Sequence, residues 1–202
     1  MLISCSKNRN AVTSPLLRLP GELRNVIWVY ASYVPAVEIG GKYSLHCRGR
    51  TLNQALQQRE DCMRSAFYLP QVCRQIYVET ASMAYALCTF IVPDSIIVPC
   101  FSLMILEIWR RRLPLAHANA ITTIEMSEDM GSQYFKRDSK VSLKDTFPAL
   151  ELVKITWEVM VNVMDFIPSD EMGEQYELEC KKLMKEDIRE REGEHVELVF
   201  LW

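Results

Sequence analysis

A β-branched run lies near the middle of the chain, Ile121-Thr122-Thr123-Ile124-Glu125-Met126, and its composition and length favour a strand. Three further segments have the same character, at 89–92, 150–157 and 196–202. Helical periodicity separates these segments at about 101–112 and 170–191, whereas 127–144 is polar and is expected to be an irregular excursion. Strands that alternate with helices are typical of right-handed crossovers and a mainly parallel sheet.

The residues before Thr89 follow a different pattern. Apolar residues at helical spacing follow Pro20, which suits the first position of a helix, and predict a helix to about Ser32. Short alternating segments flank Gly40-Gly41 and predict a β-hairpin, because paired glycines supply the positive φ angles of a tight turn. A second helix is expected after Pro70, with Glu79 on its outer side. The expected fold class is α/β: an N-terminal helix and β-hairpin, a second helix, then a mainly parallel sheet with crossover helices.

Composition limits the class of protein. The chain has 202 residues, of which 49% are hydrophobic, and this suits one domain with a sizeable core. We expect a flexible tail over 1–14 and a single α/β domain over 15–202. The net charge of -3 argues against a nucleic-acid partner, since phosphate contacts need a basic face.

The expected location is cytoplasmic or nuclear, not secreted. Residues 1–10 lack the apolar core of a secretory signal, so the seven cysteines are expected to be reduced thiols. The most apolar stretch, 96–109, is interrupted by Pro99 and Glu107 and is too short to span a membrane. The sequence therefore predicts no membrane partner.

The sequence contains no recognisable catalytic motif. It has no Gly-x-Ser-x-Gly elbow, no glycine-rich phosphate loop and no Cys-x-x-Cys pair. The basic run Arg110–Arg112 is interpreted as a helix C-terminus. The carboxylates of 171–197 alternate with cations, as in the i,i+4 pairs Glu177–Lys181 and Asp187–Arg191, and are interpreted as a solvated helix face. We expect no catalytic residue, no cofactor and no metal site.

Two segments resemble a known family. The first is Leu17-Arg18-Leu19-Pro20-Gly21-Glu22-Leu23-Arg24-Asn25-Val26-Ile27-Trp28, and the second is Leu69-Pro70-Gln71-Val72-Cys73-Arg74-Gln75-Ile76-Tyr77-Val78-Glu79-Thr80. They are similar to the two signatures of a large fungal family of F-box-like proteins. In that family Leu-Pro-x-Glu-Leu-Arg-Asn-x-Ile precedes an aromatic residue, and a Val-Cys-Arg-Gln-Ile helix follows later. With the aromatic residues Tyr85 and Phe90, the resemblance covers most of the chain from about Leu16.

The resemblance implies a protein partner. In F-box proteins the two signature helices dock onto the small adaptor subunit of cullin-type ubiquitin ligases, and the rest of the chain recruits a substrate. The matching positions in this sequence are Leu19, Pro20, Leu23, Ile27, Val72, Cys73 and Ile76. Their helical spacing fits the core of this chain as well as it fits a docking surface.

Two functions follow as expectations. The first is a non-catalytic protein–protein interaction module, an F-box-like substrate adaptor of a cullin-type ubiquitin ligase. The alternative is an enzyme or small-molecule-binding α/β domain with a cleft at the carboxyl ends of its strands. A flat exposed apolar patch would favour the first, and a deep pocket with convergent polar groups would favour the second.

Overall fold

The computed structural model describes residues 14–33, 36–39, 67–92, 94, 102–136, 141–164 and 174–201. The chain divides into two compact units. The first unit contains the described residues 14–33 and 67–87, and the second contains 36–39 and those from 88 onward. The single domain over 15–202 stays a prediction, and residues 1–13 of the expected tail lie outside the described residues.

The first unit is helical where it is described. A 3₁₀ turn at Leu16–Arg18 leads to helix α1, Gly21–Ser32. A second 3₁₀ turn at Leu69–Gln71 precedes helix α2, Arg74–Thr80, and helix α3, Met83–Leu87. The helix expected after Pro20 is confirmed, with Pro20 as the extended residue that precedes it.

The helix expected after Pro70 is divided between α2 and α3. The Thr80 hydroxyl donates a hydrogen bond of 2.7 Å to the Ile76 carbonyl oxygen one turn earlier. A hydroxyl bonded in this way competes with the backbone ladder and often bends a helix. The chain turns at 81–82, directly after Thr80, before α3 begins.

The core of the first unit is small. Leu17, Trp28 and Ile76 are buried together, and four half-buried side chains pack against them: Leu16, Leu69, Cys73 and Met83. Of the residues of α1, only Trp28 and Ser32 are buried. Helix α1 therefore contributes one narrow side to this core.

The second unit is built on a sheet of five parallel strands. They are β1 Ala36–Glu38, β2 Thr89–Ile91, β3 Thr123–Met126, β4 Leu152–Thr156 and β5 Glu197–Leu201. Their order in the sheet is their order in the chain, and every neighbouring pair is parallel. The expected α/β class is confirmed. Strand β1 is the first arm of the predicted hairpin and pairs with β2, and the second arm at 43–45 lies outside the described residues.

The helices between the strands are α4 Ser102–Arg112, α5 Leu115–Ala118, α6 Glu128–Tyr134, α7 Leu143–Thr146, α8 Trp157–Met164 and α9 Glu174–Glu192. With sequential strand order and crossovers of the usual right hand, helices between β2 and β5 lie on one face of the sheet. The strands agree. One row across the sheet, Phe90, Ile124, Val153 and Leu198, is buried, while the residues that alternate with it are mostly half-buried.

Four short helices of the second unit were not expected. Helix α5 follows α4, the polar stretch 127–144 contains α6 and the start of α7, and Trp157 begins α8 instead of ending a strand. Serines cap α6 and α7. The Ser127 hydroxyl accepts a hydrogen bond from the Met130 amide at 3.4 Å, and the Ser142 hydroxyl accepts one from the Asp145 amide at 3.2 Å.

The carboxylates of 171–197 were expected to form a solvated helix face, and this is wrong for Glu192. Its side chain is buried and accepts hydrogen bonds from the Tyr134 hydroxyl at 2.5 Å and the Leu143 amide at 2.8 Å. The Ser142 hydroxyl and the Lys144 amide also donate to it, at 3.1 and 2.7 Å. Four donors offset the cost of burying a carboxylate, and they attach the start of α7 to the end of α9.

Candidate functional site

The two family-like segments meet at one carboxylate. Arg24 donates from Nε to Glu79 Oε2 at 3.0 Å and from Nη2 to Glu79 Oε1 at 2.8 Å. Trp28 Nε1 donates to Glu79 Oε2 at 2.8 Å, and Gln75 donates to Oε1 at 3.3 Å. Arg24 also donates from Nη1 to the Leu19 carbonyl oxygen at 2.6 Å. Residues of both segments thus form a single hydrogen-bonded cluster between α1 and α2.

This cluster places Glu79 differently from the sequence expectation, which put it on the outer side of its helix. Its side chain is only 19% exposed. The hydrogen bond from Arg24 lowers the pKa of Glu79, partial burial opposes this, and the bonds from Trp28 and Gln75 lower the pKa further. The carboxylate therefore stays ionised and joins the two helices. One signal was present in the sequence: Arg24 and Trp28 are i,i+4 neighbours, as are Gln75 and Glu79, so each pair shares one face of its helix.

The orientation of α1 follows from these contacts. Arg24, Trp28 and Ser32 recur every four residues and face the core or Glu79. Residues of a helix are rotated by about 100° from one to the next, so the side opposite this row carries 23, 26, 27 and 30. These residues are Leu23, Val26, Ile27 and Tyr30, and all four are exposed. Helix α1 therefore turns its most apolar side away from the core of its own unit.

We call these four residues the outer stripe of α1. Leu23 is 53% exposed and Tyr30 is 81% exposed, whereas Trp28 on the opposite side is 1% exposed. The stripe has the spacing i, i+3, i+4, i+7. Between Leu23 and Tyr33 the only charged residue is Arg24, whose guanidinium is directed inward to Glu79. The outer stripe is thus apolar and free of charge along its length.

The residues predicted for partner binding divide between surface and interior. Leu23, Ile27, Pro20 and Val72 are exposed, and Leu19 and Cys73 are half-buried. Ile76 is buried with Trp28, and Cys73 packs against the same core. Helical spacing in the sequence puts Val26 and Tyr30 beside the row of Leu23 and Ile27, but the set carried over from the family resemblance does not contain them. Both belong to the outer stripe.

A second candidate lies in the second unit, at the carboxyl ends of β2, β3 and β4. A cleft of about 430 Å³ is lined there by four acidic side chains: Asp94, Glu125, Glu128 and Glu158. Asp94 Oδ1 accepts a hydrogen bond of 2.9 Å from the Asp129 amide at the start of α6, so this carboxylate oxygen already has a donor. Hydrogen bonds from the Glu158 amide and the Thr156 hydroxyl lower the pKa of Glu158. The described lining contains no histidine, cysteine, lysine or arginine.

The remaining polar candidates have local roles. Arg110 donates from Nε to the Thr146 carbonyl oxygen at 3.0 Å, and Arg111 pairs with Glu107 at 2.5 Å within α4. The sequence contains three histidines, at 46, 117 and 195. Burial lowers the pKa of His117, His195 is exposed beside Lys144, and His46 lies outside the described residues. In the part of the chain that the structure describes, no group of three His, Cys, Asp or Glu side chains could hold a metal ion.

Comparison with family models, curated proteins and solved structures found no match to this chain. None of the described helices is long and apolar enough to cross a membrane. The fold defines the chain as an α/β protein with a parallel five-stranded sheet, and the outer stripe of α1 is an exposed apolar surface of the first unit.

Proposed function

We propose that the first unit is a protein-docking module that binds the small adaptor subunit of cullin-type ubiquitin ligases through the outer stripe of α1. The orientation of α1 is the observation that supports this proposal. A helix with apolar residues on one side normally turns them to its own core. Here the core side carries Arg24, Trp28 and Ser32, while Leu23 and Ile27 face outward.

Burial of this stripe by a partner would stabilise a complex. Full burial of one large apolar side chain contributes about 1.5–3 kcal/mol relative to exposure. The spacing i, i+3, i+4, i+7 is that of an amphipathic helix that lies in the apolar groove of another protein. Since the stripe carries no charge, its partner needs no buried counter-charge. The resemblance of the two signatures to F-box-like proteins supplies the identity of the partner.

Two aspartate substitutions on α1 test the proposal. Leu23→Asp places a charge in the outer stripe, and Asn25→Asp places the same charge at an exposed position of the same helix outside the stripe. We expect Leu23→Asp to weaken binding of the purified adaptor subunit by about tenfold or more, because an unpaired charge at an interface is costly. Asn25→Asp should bind as the wild type does, and both variants should keep the wild-type melting temperature.

Three results would contradict the proposal. If wild-type protein does not bind the adaptor subunit, the ligase partner is wrong. If Leu23→Asp unfolds the protein, the stripe belongs to the interior. If the two aspartate variants weaken binding equally, the effect is one of net charge and the stripe is not the contact surface.

A further inference from the structure

The second unit has a groove of about 410 Å³ at the start of β5. It is lined by residues 194–198, which include Glu194, His195 and Glu197, and by Lys185 and Arg189 of α9. Strand β5 pairs with β4 and is the last strand of the sheet. Among the described residues, no strand pairs with its outer edge. An edge strand presents a row of backbone N–H and C=O groups that can pair with another extended chain.

Helix α9 forms the side wall of this groove. Helix α9 precedes β5 in the chain. Its buried side chains pack on the sheet in one row, and they are Cys180, Met184 and Ile188. Lys181 and Lys185 lie on one flank of that row, with Nζ atoms 5.7 and 5.9 Å from the centre of the Phe200 ring of β5. Arg189 is one further turn along this flank. The groove is therefore bordered by the start of β5 on one side and by Lys185 and Arg189 on the other.

Two of these cations lack a carboxylate partner. The ion pairs of α9 join Lys181 to Glu177, Lys182 to Glu186 and Arg191 to Asp187, as expected from the sequence for the first and last. Lys185 and Arg189 form no ion pair with any residue that the structure describes. Cations at the wall of a groove attract acidic groups by charge complementarity.

We propose that an extended, acidic peptide segment of a partner protein binds in this groove and adds a sixth strand to the sheet beside β5. Backbone hydrogen bonds to the edge of β5 would supply affinity, as in other cases of strand addition. Carboxylates of the peptide pair with Lys185 and Arg189. Two carboxylates of the chain, Glu194 and Glu197, lie at the start of β5 and repel acidic residues there. The acidic residues of the peptide therefore cluster beside α9.

Selection of short random peptides, displayed on phage, against the full chain tests this proposal. We expect the selected peptides to be acidic and to contain alternating β-branched residues. Affinity is then measured by fluorescence anisotropy with one labelled peptide. The double variant Lys185→Glu/Arg189→Glu should weaken binding by about tenfold or more. The control Lys136→Glu/Arg112→Glu makes the same change of net charge at exposed positions outside the groove and should bind normally.

A second measurement separates strand addition from simple charge attraction. N-methylation of each peptide bond in turn removes one backbone donor. Binding should be lost at alternate positions only, because successive N–H groups of a strand point to opposite sides. Leu23→Asp should leave peptide binding unchanged, so failure of the docking proposal for α1 and failure of this one are distinguishable.

Several outcomes would overturn the proposal. The first is a selection that yields no binding peptide, or only peptides that are not acidic. The second is an equal effect of the two double variants on affinity. The third is an N-methylation profile in which loss of binding does not alternate along the peptide. Sedimentation velocity can give a fourth result that would overturn the proposal. If the chain forms dimers that Lys185→Glu/Arg189→Glu dissociates and that the peptide does not displace, the groove is occupied by a second copy of the chain.

Discussion

Arg24 and Glu79 form a two-point ion pair between residues 55 positions apart, with donor–acceptor distances of 3.0 and 2.8 Å. This pair joins the segment around Leu-Pro-Gly-Glu to the segment around Val-Cys-Arg-Gln. The two segments that resemble family signatures are therefore joined in one hydrogen-bonded cluster in this chain. The pair also explains why the apolar side of α1 faces outward. Arg24 and Trp28 lie on the other side of the helix, because both donate hydrogen bonds to Glu79.

The first prediction concerns the ionisation of Glu79. Its pKa is lower in the folded chain than the ordinary value of a glutamate, chiefly because Arg24 donates hydrogen bonds to it. Such a carboxylate contributes stability at pH values above its unfolded pKa, and this is lost as pH falls through the folded pKa. The indole N–H resonance of Trp28, which donates to Glu79, should follow the titration with a midpoint below the ordinary pKa of a glutamate. A midpoint at or above that value would contradict the arrangement.

Glu79→Gln provides the control. The indole resonance of this variant should show no titration in the acidic range. Its free energy of unfolding should be lower than that of the wild type near neutral pH, and the difference should become small at low pH, where the wild-type contribution is already lost. Urea unfolding at both pH values measures this difference.

The second prediction contrasts the two sides of α1. Trp28→Ala removes a buried ring from the core and should lower the free energy of unfolding of the first unit by about 3–5 kcal/mol. Tyr30→Ala, on the outer stripe, should change it by no more than about 0.5 kcal/mol. Urea unfolding followed by circular dichroism measures both. Similar losses for the two variants would mean that both sides of α1 are packed.

The third prediction concerns the contact of α6 with α8. A Cβ atom on Gly131 would overlap Val159 Cγ1, and the Val159 side chain is fully buried. Alanine is the better helix former by about 1 kcal/mol. Nevertheless, Gly131→Ala should destabilise the second unit by about 1–3 kcal/mol, because overpacking forces the helices apart.

A double substitution identifies the cause. Val159→Ala alone should destabilise by creating a cavity, but Gly131→Ala/Val159→Ala should lose less than the sum of the single losses, since the new methyl group then has space. Thermal melts of the four proteins give the comparison. Additive losses would show that Gly131 and Val159 do not compete for the same volume.

The fourth prediction concerns thiol reactivity. Burial raises the pKa of Cys180 to about 11, and its sulfur lies 3.8 Å from that of Met184. Cys73 is half-buried. Because the thiolate is the reactive form, iodoacetamide at pH 8 should alkylate Cys73 faster than Cys180 by about tenfold or more. Mass spectrometry of peptides after timed alkylation measures the two rates, and they should become similar in urea. Equal rates in the native protein would contradict this.

The strands and the long helices could be predicted from the sequence because their periodicity is strong. Pro20 marks the start of α1, and the run that contains Ile124 is a strand as expected. Helices α6 and α7 were missed because they are short and polar, although Ser127 and Ser142 are typical N-cap residues. The partners of Glu192 lie 48 to 58 positions away, and no local pattern could place a carboxylate in contact with them.

The candidate surface was harder to predict. The spacing of Leu23 and Ile27 identifies one face of a helix but does not state whether that face is inside or outside. The decision depends on Glu79, which attracts Arg24 and Trp28 to the other side. Local sequence suggested only that Glu79 should be solvated, because an isolated glutamate on a helix usually is.

The sequential strand order bears on how the second unit is made. From β2 onward, each strand pairs with the strand that precedes it in the chain, and no strand is inserted between two earlier ones. During synthesis the ribosome delivers the strands in the order in which they take their places. Each newly emerged strand and its helix can attach to an edge that is already present, so assembly can keep pace with translation. A sheet with a central strand drawn from late in the chain would have to wait for it with its interior exposed.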